Sequence, residues 1–514
     1  MEFYHIIAGE IAEGKIRDKD SLQRRKLALA KEFSLDHIPS DTEILQSGMI
    51  PDDKYNLLKI KPTRTISGVA VVAAMTSPEA CPHGRCIYCP GGPDNNSPQA
   101  YTGHEPAALR GRSNNYDPYS ITFNRLKQLE TIGHDTSKVD LIIMGGTFTA
   151  RPREYQEYFI KGCFDGMNGT VSENLQEAML RNENATRRCV GLTVETKPDW
   201  FFENEIDLAL DYGATKVELG VQILDERILR INGRGHGIKE IIRSTSLSRD
   251  AGLKIVYHLM PGMYGTSDGD DMKSFIKMIS DAAFKPDMLK IYPTLVVRGT
   301  PIYRLWKAGK YVPMDTETAS EVIVEFMKAM PPWIRVQRMQ RDIPVKFIEA
   351  GVKRSDLHNI VDEKMRERGI KTWEIRTREI GRAISRSDSI HLERRDYDAA
   401  NGREIFLSME NDDHIFGYLR LRKPSANAHR QEMNGSAIVR EIKVVGEVVP
   451  VGMHNGELWQ HRGIGKSLLS DAEEIAAREW GSEKLLVISG VGVREYFRKL
   501  GYERVGPYMG KPLH

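Results

Sequence analysis

An open barrel of parallel α/β units, set between a helical N-terminal extension and a second α/β domain, is the fold the sequence predicts, on three observations. Six apolar runs of strand length recur between residues 67 and 298, with an amphipathic helical pattern between most neighbours. Strands apolar on both faces that alternate with helices make a parallel sheet covered by helices, and six such units close only partway, a partial (β/α)6 barrel. Towards the C-terminus the order changes to several strands around one long helix, and ahead of residue 64 lie only short helical patterns rich in Lys and Arg. The expected boundaries are 1–63 for the basic extension, 64–340 for the barrel, 341–375 for a basic linker and 376–514 for the last domain.

A chain of 514 residues, 40% hydrophobic and 28% charged, has room for two to four globular cores. No stretch approaches the ~18 apolar residues of a membrane span, and MEFYHIIAGE lacks the basic flank and apolar run of a signal peptide. A cytoplasmic protein is expected, consistent with five cysteines that form no disulfide-like framework. Net charge of +2 does not by itself point to nucleic acid, but its distribution is uneven. Residues 335–403 carry 17 Lys and Arg against 12 Asp and Glu, and residues 15–31 carry seven against two. Each segment reads equally as a solvated face or a phosphate-binding one.

In chain order, IIAGEIAEGKI, SLQRRKLALAKEF and IPSDTEIL predict short helices, either an RNA grip or a cap on the next domain. SGVAVVAAMTS, VDLIIMGGTF, CVGLTVETKP, KVELGVQI, KIVYHLMPG and MLKIYPTLVV predict the six strands. Their C-terminal ends gather Gly145, Gly146, Thr147, Glu195, Lys197, Gln222, His258, Gly262, Lys290 and Tyr292 at one rim, where folds of this kind carry chemistry. Cys163 and Cys189 are isolated and expected in the core.

The loop after the first strand, CPHGRCIYC, holds Cys81, Cys86 and Cys89. Three thiolates suit a four-iron, four-sulfur (4Fe-4S) cluster with one iron left open, where S-adenosylmethionine can bind and be cleaved to a carbon radical. Structural zinc with His83 as fourth ligand is the competing reading of the same loop. At the rim, Gly145, Gly146 and Thr147 are expected against the methionyl amino group of S-adenosylmethionine, with Glu195 and Gln222 also facing the cofactor.

CPHGRCIYCPGGPD, QAYTGHEP, MGGTF, ETKPDW, KIYPTLVVRGTPIY and QRDIPV together resemble the family of the catalytic third subunit of Elongator, radical S-adenosylmethionine proteins fused to a GNAT acetyltransferase domain. The resemblance runs from about residue 60 to the C-terminus; radical enzymes at large space their cysteines by three and two residues, whereas here the gaps are four and two. In the last domain, Gln460, Gly463 and Gly465 place bare amides at the start of a long helix, a pyrophosphate-binding arrangement. The resemblance implies that Glu441, Ile442, Lys443 and Val444 lie along the pantetheine of acetyl-CoA and that Ile464, Gly465 and Lys466 hold its diphosphate. It implies further acetyl-CoA contacts from Lys138, Tyr496 and Phe497. Some members hold zinc in the linker through cysteines, and this chain has none after Cys189. Arg376 and Arg378, in a strand-like alternation, are expected to contact tRNA phosphate.

Taken with these residues, the resemblance implies an enzyme that uses the cluster, S-adenosylmethionine and acetyl-CoA to place a carboxymethyl group on carbon 5 of the wobble uridine of tRNA. The anticodon stem-loop, an electron donor, and either a second copy of the chain or Elongator-like accessory subunits are the implied partners. Two other readings stand beside it: a protein lysine acetyltransferase with a structural cluster and Glu441 as base, and a scaffold that binds tRNA without turnover.

Overall fold

Apolar β-branched residues set the first sheet. In a computed structural model, which describes residues 2–51, 54–59, 68–267, 269–380, 390–445 and 463–513, it is formed by β1 (Ala70–Met75), β2 (Lys138–Met144), β3 (Arg188–Thr196), β4 (Lys216–Gln222), β5 (Lys254–Leu259), β6 (Met288–Ile291) and β8 (Arg335–Arg338), in that spatial order. Every neighbouring pair is parallel. No pairing joins β1 to β8 among the described residues, so the barrel stays open. The seventh strand is a correction to the six-unit expectation and adds residues 335–338, at the end of the expected 64–340 barrel, to the sheet. Between β6 and the linker, β7 (Val296–Val297) pairs antiparallel with β9 (Ile348–Ala350).

The extension packs helices Glu2–Ala12, Lys19–Glu32, Asp41–Gln46 and Tyr55–Leu58 around a small core that includes Phe3, Ile7, Leu22, Leu29 and Ile44. Asp18 and Ser21 cap the second helix reciprocally, which fixes its start. Part of its positive charge is used internally, since Arg25 pairs with Glu10 at 2.7 Å and Lys26 with Asp41 at 2.8 Å.

The second sheet runs β10 (His391–Ala399), β11 (Gly402–Glu410), β12 (Ile415–Lys423), β13 (Ser436–Val444), β14 (Lys484–Val487), β16 (Tyr508–Pro512), β15 (Glu503–Val505) in space, antiparallel except for β13 with β14. Helix Ile464–Glu474 buries Leu468, Leu469 and Ala472 against it.

This sheet docks on the floor of the barrel, where the parallel strands begin. Gly490 and Gly492 meet the start of β3 so closely that a Cβ would fall 2.2 Å from the Val190 carbonyl and 2.4 Å from Arg188. The junction also buries four arginines among four carboxylates. Arg440 pairs with Asp287 at 2.6 Å and Glu404 at 2.9 Å, and Arg422 with Asp250 at 2.5 Å. Arg249 and Arg420 each reach Asp287 at 3.6 Å, and Arg420 also holds Glu441 at 2.8 Å. Removing one member of such a set leaves an uncompensated buried charge, so the junction is fixed in one arrangement.

Candidate functional site

The cysteine loop follows β1 at the opposite end of the barrel, the mouth. Its seat is the stretch after helix Glu226–Ile231: the Ile87 amide donates to the Asn232 carbonyl at 3.2 Å, and Gly235, at φ +71°, lies where a Cβ would be 2.6 Å from that of His83. Each cysteine sulfur then meets a polar partner. Arg234 Nη1 lies 3.4 Å and His83 Nε2 3.2 Å from Cys86 Sγ; Gln99 Nε2 at 3.0 Å and the Ala100 amide at 3.2 Å donate to Cys89 Sγ; Thr147 Oγ1 is 3.4 Å from Cys81 Sγ. Arg234 fits because Gly220 in β4 has no side chain; a Cβ there would lie 2.9 Å from Nη2.

Burial pushes the Cys81 and Cys89 thiols up, so as free thiols they resist ionising. A bound metal group, the buried Arg234 and Lys197 cations and the ring of donors favour thiolate instead. His83 is held down to about 4 by burial, then by Lys197 and Arg234, and is a neutral imidazole. Four ligands around one zinc stand about 3.8 Å apart, given Zn–S bonds of about 2.3 Å. Among the described residues, the one trio of His, Cys, Asp or Glu whose ligand atoms all lie within 4.8 Å of one another is Glu195, Glu218 and His258. The three cysteine sulfurs are thus not gathered within that distance of one another, which is wider than a single zinc requires. Three thiolates, a donor shell and an adjoining cavity fit a 4Fe-4S cluster with one open iron.

That cavity holds ≈ 1120 Å³ of space, part of it open to solvent, between the cysteine loop and the strand ends. It collects Gly146, Thr147, Glu195, Lys197, Gln222, His258, Lys290 and Tyr292 from the expected rim. Two glycines behave otherwise. Gly145 turns against Thr76, whose Oγ1 would sit 1.9 Å from a Cβ, and Gly262 lines a separate hollow beside Tyr311. At the centre of the mouth, Glu218 accepts from His258 Nε2 at 2.8 Å and from Lys290. Burial alone would raise the Glu218 carboxyl, but Lys290 and His258 outweigh it and hold it ionised. Tyr101 donates to Glu195 at 2.6 Å. Sequence reasoning missed Gln99, Tyr101, Glu218, Arg234 and Arg341; the glycine run around Arg234 was the available signal for one of them.

At the second predicted site, β13 pairs with β14 only from Ser436 to Val439, so among the described residues Glu441 to Val444 leave one strand edge free. A register shift at Arg420/Leu421 in the β12 pairing accompanies the divergence. Gly463, at φ +80°, leads into helix Ile464–Glu474, and a Cβ on Gly465 would lie 3.5 Å from Val444, 3.9 Å from Ile442 and 3.9 Å from the Tyr496 hydroxyl. The sequence-distant pieces thus converge beside the free edge, with Phe497 buried beneath Tyr496. Gln460 lies outside the described residues. Lys138 opens β2 at the floor, beside Arg188. Lys443 pairs with Glu379 at 2.7 Å. Glu441, raised by burial, is brought below its ordinary range by Arg420 and Lys254, which makes it a poor base.

The linker differs from expectation. Residues Ile375–Arg378 form a short helix, not an alternating strand. Arg378 turns inward to Glu410 at 2.8 Å, while Arg376 stays exposed and donates to the Gln337 carbonyl. Phosphate contact by Arg378 is thereby corrected to a structural role. Cys163 and Cys189 are buried as expected, and burial pushes the Cys163 thiol up to about 12. No helix among the described residues is long and apolar enough to cross a membrane.

An open parallel barrel with three cysteines after its first strand, joined to a sheet that splays at an acetyl-CoA-type edge, defines a radical S-adenosylmethionine protein with an acetyltransferase-like domain. Residues 75–279 match the Radical SAM superfamily, 286–367 the Radical_SAM C-terminal domain and 1–66 the ELP3 N-terminal domain. A tRNA uridine(34) acetyltransferase of Methanocaldococcus jannaschii is 47% identical, over 99% of this chain and 96% of the relative. Human Elongator complex protein 3 is 41% identical, over 98% and 95%. The solved structure of Methanocaldococcus infernus Elp3 lacking residues 1–46 superposes with a TM-score of 0.77 at 44% identity, covering 87% of this chain and all of that one. The chain belongs to the Elongator complex protein 3 family.

Proposed function

We propose that this enzyme carboxymethylates carbon 5 of the wobble uridine in tRNA, taking the two carbons from acetyl-CoA. The observation that carries the reading is the mouth: three cysteines inside a donor shell, opening on a cavity lined by Gly146, Glu195 and Gln222, in a chain whose Glu441 to Val444 edge has no strand partner among the described residues. Cys81, Cys86 and Cys89 would hold the cluster. With S-adenosylmethionine bound, that group would supply a carbon radical able to take hydrogen from the acetyl methyl of acetyl-CoA. Gly146, Thr147, Glu195 and Gln222 would position S-adenosylmethionine, and Arg234 and Lys197 balance the negative charge of the thiolates. Glu441 to Val444, Gly463 to Lys466, Lys138, Tyr496 and Phe497 would position acetyl-CoA. The exposed Arg376 and the basic extension would hold the anticodon stem-loop, presenting an unstacked base. An electron donor and a homodimer or accessory subunits complete the reading, in the cytoplasm.

Protein prepared without oxygen is incubated with tRNA, acetyl-CoA, S-adenosylmethionine and a reductant, and the digested nucleosides are read by mass. Carboxymethyluridine and stoichiometric S-adenosylmethionine cleavage are expected. Acetylation of a basic peptide in the same mixture, with tRNA unchanged, would replace this reading by the lysine acetyltransferase one.

A further inference from the structure

Carboxymethylation as proposed leaves a problem of chemistry. The carbon added to uracil is still bonded to a thioester carbonyl, and that bond to sulfur must be hydrolysed to give the carboxylate. Because the carbonyl is attached directly to the reacting methyl carbon, it lies in the mouth cavity when the new carbon–carbon bond forms. A base for the hydrolytic water is therefore sought among groups lining that cavity.

Most of them are engaged. Glu105 accepts from the amides of Thr102 and Gly103, Asp342 is paired with Arg338, and Glu195 accepts from Tyr101. His83 leans on a cluster cysteine. His258 is different. Its Nε2 faces Glu218 at 2.8 Å, and Glu218, kept ionised by Lys290 as well, can only accept. With Nε2 donating to that carboxylate, the uncharged form of the ring keeps its lone pair on Nδ1. Nδ1 lies 3.9 Å from Glu195 Oε1, too far for a hydrogen bond, and the residue lines the cavity. Tyr292, edge-on at 5.5 Å, restricts the ring. A carboxylate behind an imidazole that fixes its tautomer is the arrangement hydrolases use to activate an oxygen nucleophile.

We propose that His258, oriented by Glu218, is the general base that hydrolyses the thioester formed between coenzyme A and the new uridine substituent. The inference rests on the carboxymethylation reading. Nδ1 takes a proton from water as the water oxygen bonds the carbonyl carbon; the carbon–sulfur bond breaks and the thiolate of coenzyme A takes the proton back from the imidazolium. Nothing is oxidised or reduced in this step. Glu218 and Lys290 are positioning residues for it.

The test uses the full-length, cluster-loaded His258→Asn enzyme, with RNA products read as intact oligonucleotides by mass, and the EPR signal of the reduced cluster as the check on the mouth. The expected result is tRNA carrying a coenzyme A adduct that hydroxylamine cleaves, with carboxymethyluridine reduced at least tenfold. Glu218→Gln should give the same adduct at a lower level, because its amide can accept from Nε2 but no longer stabilises the imidazolium. Wild-type carboxymethyluridine without adduct from His258→Asn overturns the proposal. So does loss of both products with the cluster signal intact, since His258 would then act before the thioester exists. If wild-type enzyme yields neither product, the carboxymethylation reading itself falls, a result distinct from either.

Discussion

The mouth and the floor of the barrel are both built from buried charge, and they differ in what that charge faces. At the floor, Arg249, Arg420, Arg422 and Arg440 meet Asp250, Asp287, Glu404 and Glu441, four against four, with the guanidiniums fully buried. At the mouth, Arg234 lies beside Cys86 Sγ, Lys197 pairs with Asp199 at 3.1 Å, and both cations border open space along with the cysteines. Charges packed only against one another lock two domains together. Charges that border a cavity leave room for a ligand.

The largest expected effect tests the mouth. Cys86→Ala should give colourless protein with iron content near zero after anaerobic reconstitution, and no S-adenosylmethionine cleavage, while the wild type is brown. Colourless wild-type protein holding one tight zinc that the variant loses would instead put a single ion in the loop.

Next comes the floor. Asp287→Asn leaves Arg249, Arg420 and Arg440 facing one another without their shared carboxylate, which should cost about 3–5 kcal/mol in denaturant unfolding. Iron per folded chain should stay at the wild-type level, because Asp287 lies at the other end of the strands. Burial alone would raise Asp287, Glu404 and Glu441, but the neighbouring arginines outweigh it and hold all three below the ordinary range. Acids depressed in the folded state contribute stability above their unfolded pKa of about 4, and that contribution is lost as pH falls towards the folded values. Unfolding free energies measured from pH 7 down to pH 3 should therefore drop in acid, and less steeply in Asp287→Asn. Equal slopes would remove the floor from the account.

The same contrast explains what could be read ahead of the structure. The six apolar strands and the cysteine loop are local patterns, carried by neighbouring residues, and they stand where the sequence places them. β8 was missed because RVQR is four residues long, mostly polar, and gains strand identity only by pairing with β6. The floor was invisible because its partners are remote: Arg422 and Asp250 are 172 residues apart, Arg440 and Asp287 153. Arg378 looked like a phosphate ligand because local charge cannot show that Glu410 takes it up. The rim residues were legible as the polar ends of apolar runs, but that Gly145 would face Thr76 and Gly146 the cavity was not.

A finer test asks whether mouth charge acts on the cluster. Arg234→Gln keeps a donor and removes a cation beside Cys86, so the cluster should still assemble but accept an electron less readily. A tenfold change in that equilibrium is about 60 mV for one electron, and a midpoint potential lower by roughly that much is expected in an EPR redox titration. An unchanged potential would make Arg234 a packing residue of the loop and blur the distinction from the floor.

The smallest expected effect falls at the edge of β13, in the sheet that docks on the floor. Gly465 lies in the first turn of helix Ile464–Glu474, and its Cβ would meet Val444, Ile442 and Tyr496 only at ordinary contact distances of 3.5–3.9 Å. Alanine is a better helix former than glycine by about 1 kcal/mol, so Gly465→Ala should leave the melting temperature unchanged or slightly raised. The added methyl nevertheless enters the space beside the unpaired backbone of Glu441 to Val444, and acetyl-CoA affinity by calorimetry should fall about threefold, roughly 0.7 kcal/mol. Binding weakened at constant stability is what a site with room left for a ligand predicts. Stability lost at constant binding would mean that this edge, like the floor, is already filled.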